Sequence, residues 1–282
     1  MMDGNFTANS MDKEHALDGI LDGLGRVVVA YSGGVDSAYL TARANEVLGE
    51  AAVAITAVSP SLSSRELVAA KALAAQRGWH HDIVVTHEVE REEYARNDPD
   101  RCYWCKTELF DVLAPIAVSR GAAVVVGTNV DDLKDIRPGL RAAREREARA
   151  PMVEAGLTKQ DIRLLSGEMG LPTADKPSSP CLASRFAYGV RVTPDGLERI
   201  ERAEEAVRAL GFDVFRVRDH GHLARVEVLS KDMERAVSLR ERLESDLRAL
   251  GWRYVTLDLT GFRSGSMNEV LAPPRLRRTE VD

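Results

Sequence analysis

The sequence predicts an α/β fold, a parallel sheet with helices on both faces, followed by a smaller C-terminal α+β domain. Three observations carry this expectation. Apolar, strand-like runs alternate with helix-compatible segments through the N-terminal half. Polar and glycine-rich clusters follow several of those runs, at the strand ends where open parallel sheets bind ligands. Beyond Tyr188-Gly189 the order changes to helix, strand, strand, helix, strand.

Taken in order, residues 26–31 read as the first strand and a helix follows from Ser37. Residues 51–59 form the second strand and 63–77 a helix, with Ser63 and Glu66 spaced as a capping box. A third strand fits 82–87, a helix 106–120 and a fourth strand 122–127. The Pro- and Ser-rich stretch Asp175-Lys176-Pro177-Ser178-Ser179-Pro180 marks a boundary region, and we divide the chain at 1–186 and 187–282. The second part should carry a helix over 194–210, strands near 213–218 and 223–229, a helix over 231–250 and a strand at 254–259.

The chain has 282 residues, 44% of them hydrophobic and 29% charged, the balance of a globular protein with a sizeable core. No apolar run is long enough to span a bilayer, so no membrane association is expected. Residues 1–10 are polar and lack the core of a signal peptide, which predicts a cytoplasmic protein. Thirty-eight Lys and Arg against 44 Asp and Glu leave a net charge of −6, which disfavours nucleic acid as a partner.

Ser32-Gly33-Gly34-Val35-Asp36-Ser37 is the most informative stretch, because it joins a strand to a helix where backbone N–H groups can hold phosphate oxygens. A Walker-type loop would continue into a lysine, and none follows here. Gly33 and Gly34 let the backbone pass close to an anion, Ser32 and Ser37 supply hydroxyls, and Asp36 can hold the loop or help bind Mg²⁺. Ser59 and Gly127-Thr128-Asn129 end two other strands and should converge on the same crevice. Asp131, Asp132, Asp135 and Arg137 come just after, adding carboxylates and a guanidinium. The plain alternative is a serine-glycine turn that only caps a helix.

The three cysteines point to reactive or metal-binding thiols before a disulfide framework. Cys102-Tyr103-Trp104-Cys105, placed just ahead of the third helix, suits a shared metal, a redox pair or a cluster, the plain alternative being two buried apolar fillers. Cys181 sits on a loop where Lys176 and Arg185 would lower its pKa from about 8.5 and favour a thiolate, at once nucleophile and sulfur donor. Three thiolates can hold an iron–sulfur cluster with one iron left open, whereas structural zinc would need a histidine such as His80, His81 or His87 as well.

The Ser32–Ser37 loop resembles that of the PP-loop ATP pyrophosphatases, an adenine nucleotide alpha hydrolase-like superfamily whose members cleave ATP to AMP and pyrophosphate. With Arg101-Cys102-Tyr103-Trp104-Cys105-Lys106, Arg137-Pro138-Gly139, Pro180-Cys181-Leu182-Ala183-Ser184-Arg185-Phe186, Phe215-Arg216-Val217-Arg218 and Gly261-Phe262-Arg263, the chain resembles the LarE family over nearly its whole length.

That resemblance implies an ATP-dependent sulfur transferase of nickel-pincer nucleotide synthesis, acting on pyridinium-3,5-dicarboxylic acid mononucleotide and assembled as a homohexamer. It implies ATP and Mg²⁺ at Ser32, Gly33, Gly34, Asp36, Ser37, Ser59, Gly127 and Asn129. Catalysis would fall to Cys181, Asp36, Ser184 and Arg185, and substrate binding to Lys106, Arg137, Lys176, Arg216, Arg218 and Glu204. Sulfur would come from Cys181 itself, leaving dehydroalanine, or from a sulfide on a [4Fe-4S] cluster held by Cys102, Cys105 and Cys181.

The arginines also make sense unaided: a substrate with two carboxylates and a phosphate calls for forked donors, and Arg216 and Arg218 share one strand face. Glu204 could orient a guanidinium or bind metal, while the bland reading of the group is an exposed, salt-bridged face. Two rival functions are a PP-loop tRNA thiolase, which the net charge disfavours, and a nucleotide- or cluster-sensing protein that never turns over.

Overall fold

A computed structural model describes residues 3–134, 138–263 and 265–271. The chain divides into two compact units, Met1–Cys181 and Leu182–Asp282.

The first unit is built on four parallel strands, β1 (Val27–Ala30), β2 (Ala52–Val58), β3 (His81–Val85) and β4 (Ala123–Val126), in the order β3-β2-β1-β4. Its helices are α1 (Asp3–Leu24), α2 (Val35–Leu48), α3 (Ser64–Arg77), α4 (Glu92–Ala95), α5 (Arg101–Arg120), α6 (Pro138–Glu145), α7 (Pro151–Glu154) and α8 (Lys159–Glu168). The apolar run of β1 is explained by its place: Val27, Val28 and Val29 are each fully buried between β2 and β4, with helices against both faces. Leu17 and Leu21 of α1, Tyr39 and Leu40 of α2 and Ile162 and Leu165 of α8 pack with Val27 and Val29 on one face, while Leu113 and Ala117 of α5 pack with Val28 on the other. The switch point between β1 and β4 puts the ends of both strands beside the start of α2.

The second unit pairs β5 (Phe215–Asp219) antiparallel to β6 (Leu223–Val228), which pairs parallel to β7 (Tyr254–Leu257). α9 (Pro194–Ala209), α10 (Met233–Ser238) and α11 (Arg240–Ala249) accompany this sheet, and short 3₁₀ turns occupy Leu182–Arg185 and Ser266–Leu271.

The parallel sheet with flanking helices is the fold class the sequence predicts, but three local expectations need correction. Ser63 does precede α3, yet its side chain makes no cap bond; Glu66 instead accepts from Lys176 Nζ at 2.7 Å, so a partly buried ion pair takes the carboxylate that the capping box required. The Cys-x-x-Cys pair lies inside the first turns of α5 and not ahead of it, because the helix starts at Arg101, where the buried guanidinium bonds Asn97. The helix expected over 231–250 is broken at Leu239. There Ser238 Oγ donates to the Arg235 carbonyl at 2.7 Å, a local bond that competes with continuation of the helix.

α1 and α8 are additions that the sequence reading did not contain. Asp161, fully buried, joins them by accepting from Ser10 Oγ (2.6 Å) and Lys13 Nζ (2.8 Å) of α1 while closing the Thr158 capping box of α8. Burial alone would raise its pKa, but the bonds from Lys13, Ser10 and Thr158 outweigh it and hold the carboxyl down at about 2.

Candidate functional site

The loop Ser32–Ser37 is wound by its own side chains. Ser37 Oγ accepts from the Ser32 N–H (3.1 Å), lies 3.1 Å from Ser32 Oγ and donates to the Gly34 carbonyl (3.2 Å). Gly33 adopts φ +71°, and a Cβ there would stand 2.8 Å from that of Ala70, so glycine is demanded by both conformation and space. Gly127 is demanded by approach: a Cβ would stand 2.9 Å from the Ser37 nitrogen, so the end of β4 lies directly on the start of α2. α2 itself begins at Gly34 in extended conformation with no side chain capping it, which keeps its N-terminal end available for an anion.

Asp36 is gripped on both carboxylate oxygens. Asn129 Nδ2, from the buried turn after β4, donates to Oδ1 at 3.1 Å, and Lys159 Nζ at the start of α8 donates to Oδ2 at 2.5 Å. Asn129 Oδ1 in turn accepts from the N–H groups of Asp131 (2.9 Å) and Asp132 (3.3 Å), which fixes the turn. Lys176 supports the loop from another side, donating to the Gly33 carbonyl at 2.9 Å as well as to Glu66. Thus the ends of β1 and β4 meet at Asp36, as expected. Asp135 and Arg137 lie outside the described residues.

Ser59, at the end of β2, belongs to a different set of contacts. Its hydroxyl donates to Glu88, a carboxylate only 3% exposed, and Ser61 Oγ lies 2.6 Å from the buried Tyr94 hydroxyl. Cys102 and Cys105, three residues apart on α5, share one helix face. The Cys105 thiol is pushed far up by burial, and further by the charges of Glu88, Cys181 and Cys102, with Lys106 opposing. Tyr94 is raised by burial and then by Cys181 and Cys105. Cys105 therefore lies within the fields of both other thiols and Tyr94 within those of Cys105 and Cys181, with Cys102 and Cys181 exposed. Lys106 is exposed beside them, and a Cβ on Gly139 would meet its Cγ at 2.9 Å. Among the described residues, no three His, Cys, Asp or Glu side chains are gathered to hold a single metal ion.

In the second unit the arginines form a buried ionic cluster. Arg185 spans both oxygens of Glu204 (2.9 and 3.1 Å) and donates to Ser184 Oγ at 2.9 Å. Arg218 bonds Glu227 Oε2 through Nε (3.0 Å) and Nη2 (2.8 Å), the Ser184 carbonyl (3.1 Å) and Ser266 Oγ (3.1 Å). Arg216, on the same strand face, donates to the Phe215 carbonyl at 2.6 Å and lies 5.1 Å over the Phe262 ring. Burial, then the charges of Arg185 and Arg218, lower its pKa to about 10, against the pull of Glu204 and Glu227.

Glu204 accordingly orients guanidinium, the first of its two expected roles, and the bland reading of an exposed, salt-bridged face does not describe Arg185 or Arg218, which are 3% and 6% exposed. Sequence reasoning missed Lys159, Glu88, Tyr94 and Glu227. Only Lys159 had a signal, the Thr158-x-x-Asp161 start of α8.

No family model matches the chain. Among curated proteins it is 46% identical over 252 residues to an uncharacterised protein of Synechocystis sp., covering 88% of this chain and 94% of that one. It is 37% identical over 266 residues to the pyridinium-3,5-bisthiocarboxylic acid mononucleotide synthase of Lactiplantibacillus plantarum, covering 94% and 96% of the two chains. A tRNA-specific 2-thiouridylase of Azorhizobium caulinodans matches at 33% identity over 192 residues, 55% of this chain and 49% of that one. With a near full-length match to the named synthase and the phosphate loop, thiols and arginines in place, the chain belongs to the LarE family of pyridinium-3,5-bisthiocarboxylic acid mononucleotide synthases.

Proposed function

We propose that this chain is a cytoplasmic, ATP-dependent sulfurtransferase, a homohexamer by resemblance, that converts the carboxylates of pyridinium-3,5-dicarboxylic acid mononucleotide to thiocarboxylates for nickel-pincer cofactor synthesis. The observation that carries the reading is the presence, in one unit, of a lysine-free phosphate loop closed on Asp36 and a cluster of three thiols. Among the described residues no helix is long and apolar enough to cross a membrane. Residues 1–186 would hold ATP and the sulfur chemistry, and 187–282 the anionic groups of the substrate.

The loop N–H groups and the start of α2 would hold the phosphates. A substrate carboxylate oxygen attacks the α-phosphorus, the bond to the bridging oxygen breaks, and pyrophosphate leaves with that electron pair. Asp36, beside the phosphates, is the carboxylate placed to hold Mg²⁺, which commonly takes one or two protein carboxylates together with phosphate oxygens and would supply charge neutralisation. The Cys181 sulfur then attacks the acyl carbon and displaces AMP. Loss of the Cys181 α-proton with cleavage of its Cβ–S bond releases the thiocarboxylate and leaves dehydroalanine.

A second sulfur source rests on the shared field of the three thiols. A [4Fe-4S] cluster places each thiolate on its own iron, so its donors need not surround one ion, and Cys102, Cys105 and Cys181 are of the right kind to hold it. It would supply an open iron for exchangeable sulfide. Visible absorption and iron content of anaerobically reconstituted protein test this source.

Arg216 would bind the substrate's phosphate or carboxylate, with Arg185 and Arg218 holding the surrounding frame. Arg216→Ala is expected to raise the KM for the pyridinium nucleotide by about tenfold or more, the size of one charge-assisted bond, and to leave the KM for ATP unchanged. Steady-state pyrophosphate release with each substrate varied in turn makes the check. A changed ATP constant with an unchanged substrate constant would remove Arg216 from this role.

A further inference from the structure

The chain that leaves β7 returns to the arginine cluster of the second unit. The Asp258 N–H donates to the Val226 carbonyl (2.9 Å) and the Phe262 N–H to that of Val228 (2.7 Å), which lays this stretch along the end of β6. Gly261 permits the approach: its φ is +78°, and a Cβ would stand 2.8 Å from the Val228 oxygen. Val228 pairs across the sheet with Phe215, so Phe262 comes level with the first residues of β5. There the Arg216 guanidinium lies over its ring, 5.1 Å from the centroid. Farther on, the buried Ser266 accepts from Arg218 Nη2 (3.1 Å) and donates to Glu227 Oε1 (2.9 Å). Tyr188 donates to Asn268 Oδ1 at 2.9 Å, and Arg263 spans both oxygens of Glu269 (2.6 and 2.8 Å). The chain is thus fixed before and after Phe262.

Resting on the substrate-binding reading above, we propose that Phe262 is a positioning residue for substrate recognition, its ring aiming the Arg216 guanidinium at an oxyanion of the pyridinium nucleotide. The N–H donors of a guanidinium lie in its plane, so a ring against its face occupies none of them. An aromatic face also attracts the cation without the neutralisation that a carboxylate brings, so the charge stays available to an incoming anion. Nη1 donates to the Phe215 carbonyl at 2.6 Å, and this bond together with the ring sets the plane of the fork, on which a bidentate bond to carboxylate or phosphate depends. Arg218, farther along the same strand face, is held by Glu227 and Ser266. One stretch of chain therefore serves both arginines, locking Arg218 into the frame and turning Arg216 to the substrate.

Phe262→Leu keeps an apolar side chain and removes the ring face, whereas Phe262→Tyr keeps both. Steady-state pyrophosphate release by the full chain, with the pyridinium nucleotide and ATP varied in turn, is measured for these variants, for Arg216→Ala and for Phe262→Leu combined with Arg216→Ala. Phe262→Leu should raise the KM for the nucleotide about threefold or more, the size of one cation–π contact, and leave that for ATP within about twofold. Phe262→Tyr should restore the wild-type value. In the Arg216→Ala background Phe262→Leu should add no further loss, since the ring acts through that guanidinium. Phe262→Met, flexible enough to fill the same space, repeats the test should leucine fail to fold. The dephosphorylated pyridinium nucleoside assigns the oxyanion: the loss persists with it if Arg216 reads a carboxylate and vanishes if it reads the phosphate. An unchanged nucleotide KM in Phe262→Leu overturns the proposal, as does a loss that recurs in full without Arg216 or that falls equally on ATP. A wild-type chain that releases no pyrophosphate with the nucleotide overturns the substrate reading itself, and the proposal with it.

Discussion

Cys181→Ala is expected to form no thiocarboxylate while still releasing pyrophosphate from ATP and the pyridinium nucleotide. In the proposed mechanism the two half-reactions use different groups: adenylation would need the loop, Asp36 and the cations around it, whereas sulfur delivery would need a thiol at position 181. Cys181 is exposed and contributes no core packing, so alanine should leave the fold and the loop unaltered. Both sulfur sources in the proposal pass through this residue, so the loss should be complete under either. Pyrophosphate release measured beside product mass separates the steps. Sulfur transfer at an undiminished rate by Cys181→Ala would remove this thiol from the mechanism.

Glu227→Ala is expected to unfold the second unit at much lower temperature while ATP binding survives. Glu227 is fully buried and accepts from Arg218, Arg225 (3.0 Å) and Ser266 (2.9 Å). Removing it takes the carboxylate from the buried Arg218 guanidinium and one of two from Arg225, and breaking a buried pair in this way costs about 3–5 kcal/mol. For a unit of this size each kcal/mol is worth roughly 4–8 °C of melting temperature. Glu227→Gln keeps the shape and some acceptor capacity, so it should fall between alanine and wild type. Thermal unfolding followed beside ATP binding gives the answer, and a midpoint of Glu227→Ala within about a degree of wild type would mean that the cluster carries little of the unit's stability.

How far such features can be read from sequence depends on their range. The phosphate loop was legible because glycine has local causes: Gly33 sits at positive φ, and the strand and helix on either side are periodic apolar patterns. The Cys-x-x-Cys spacing was legible too, but its start inside α5 was not, since it depends on a buried Arg101–Asn97 bond that no propensity announces. Glu66 three residues after Ser63 had the right spacing for a cap and lost its carboxylate to a lysine 110 residues away. The contacts of Lys159 and Glu227 were illegible for the same reason, although the start of α8 that carries Lys159 had a local signal. One meets Asp36 across 123 residues, and the other looks like any charged residue until β5 and β6 pair and bury it. Arg185, expected to be catalytic, is paired with Glu204 of α9, and Arg218, expected to bind substrate, with Glu227 of β6, so both are members of buried ion pairs, which leaves Arg216 as the candidate for an external anion.

The most direct test of the central claim is to give the wild-type protein ATP together with pyridinium-3,5-dicarboxylic acid mononucleotide, tRNA, or neither, and to measure both pyrophosphate and the mass of the products. The account predicts pyrophosphate above background only with the pyridinium nucleotide, and a product in which sulfur has replaced a carboxylate oxygen. Pyrophosphate and thiolated bases with tRNA, and no reaction with the pyridinium nucleotide, would contradict it.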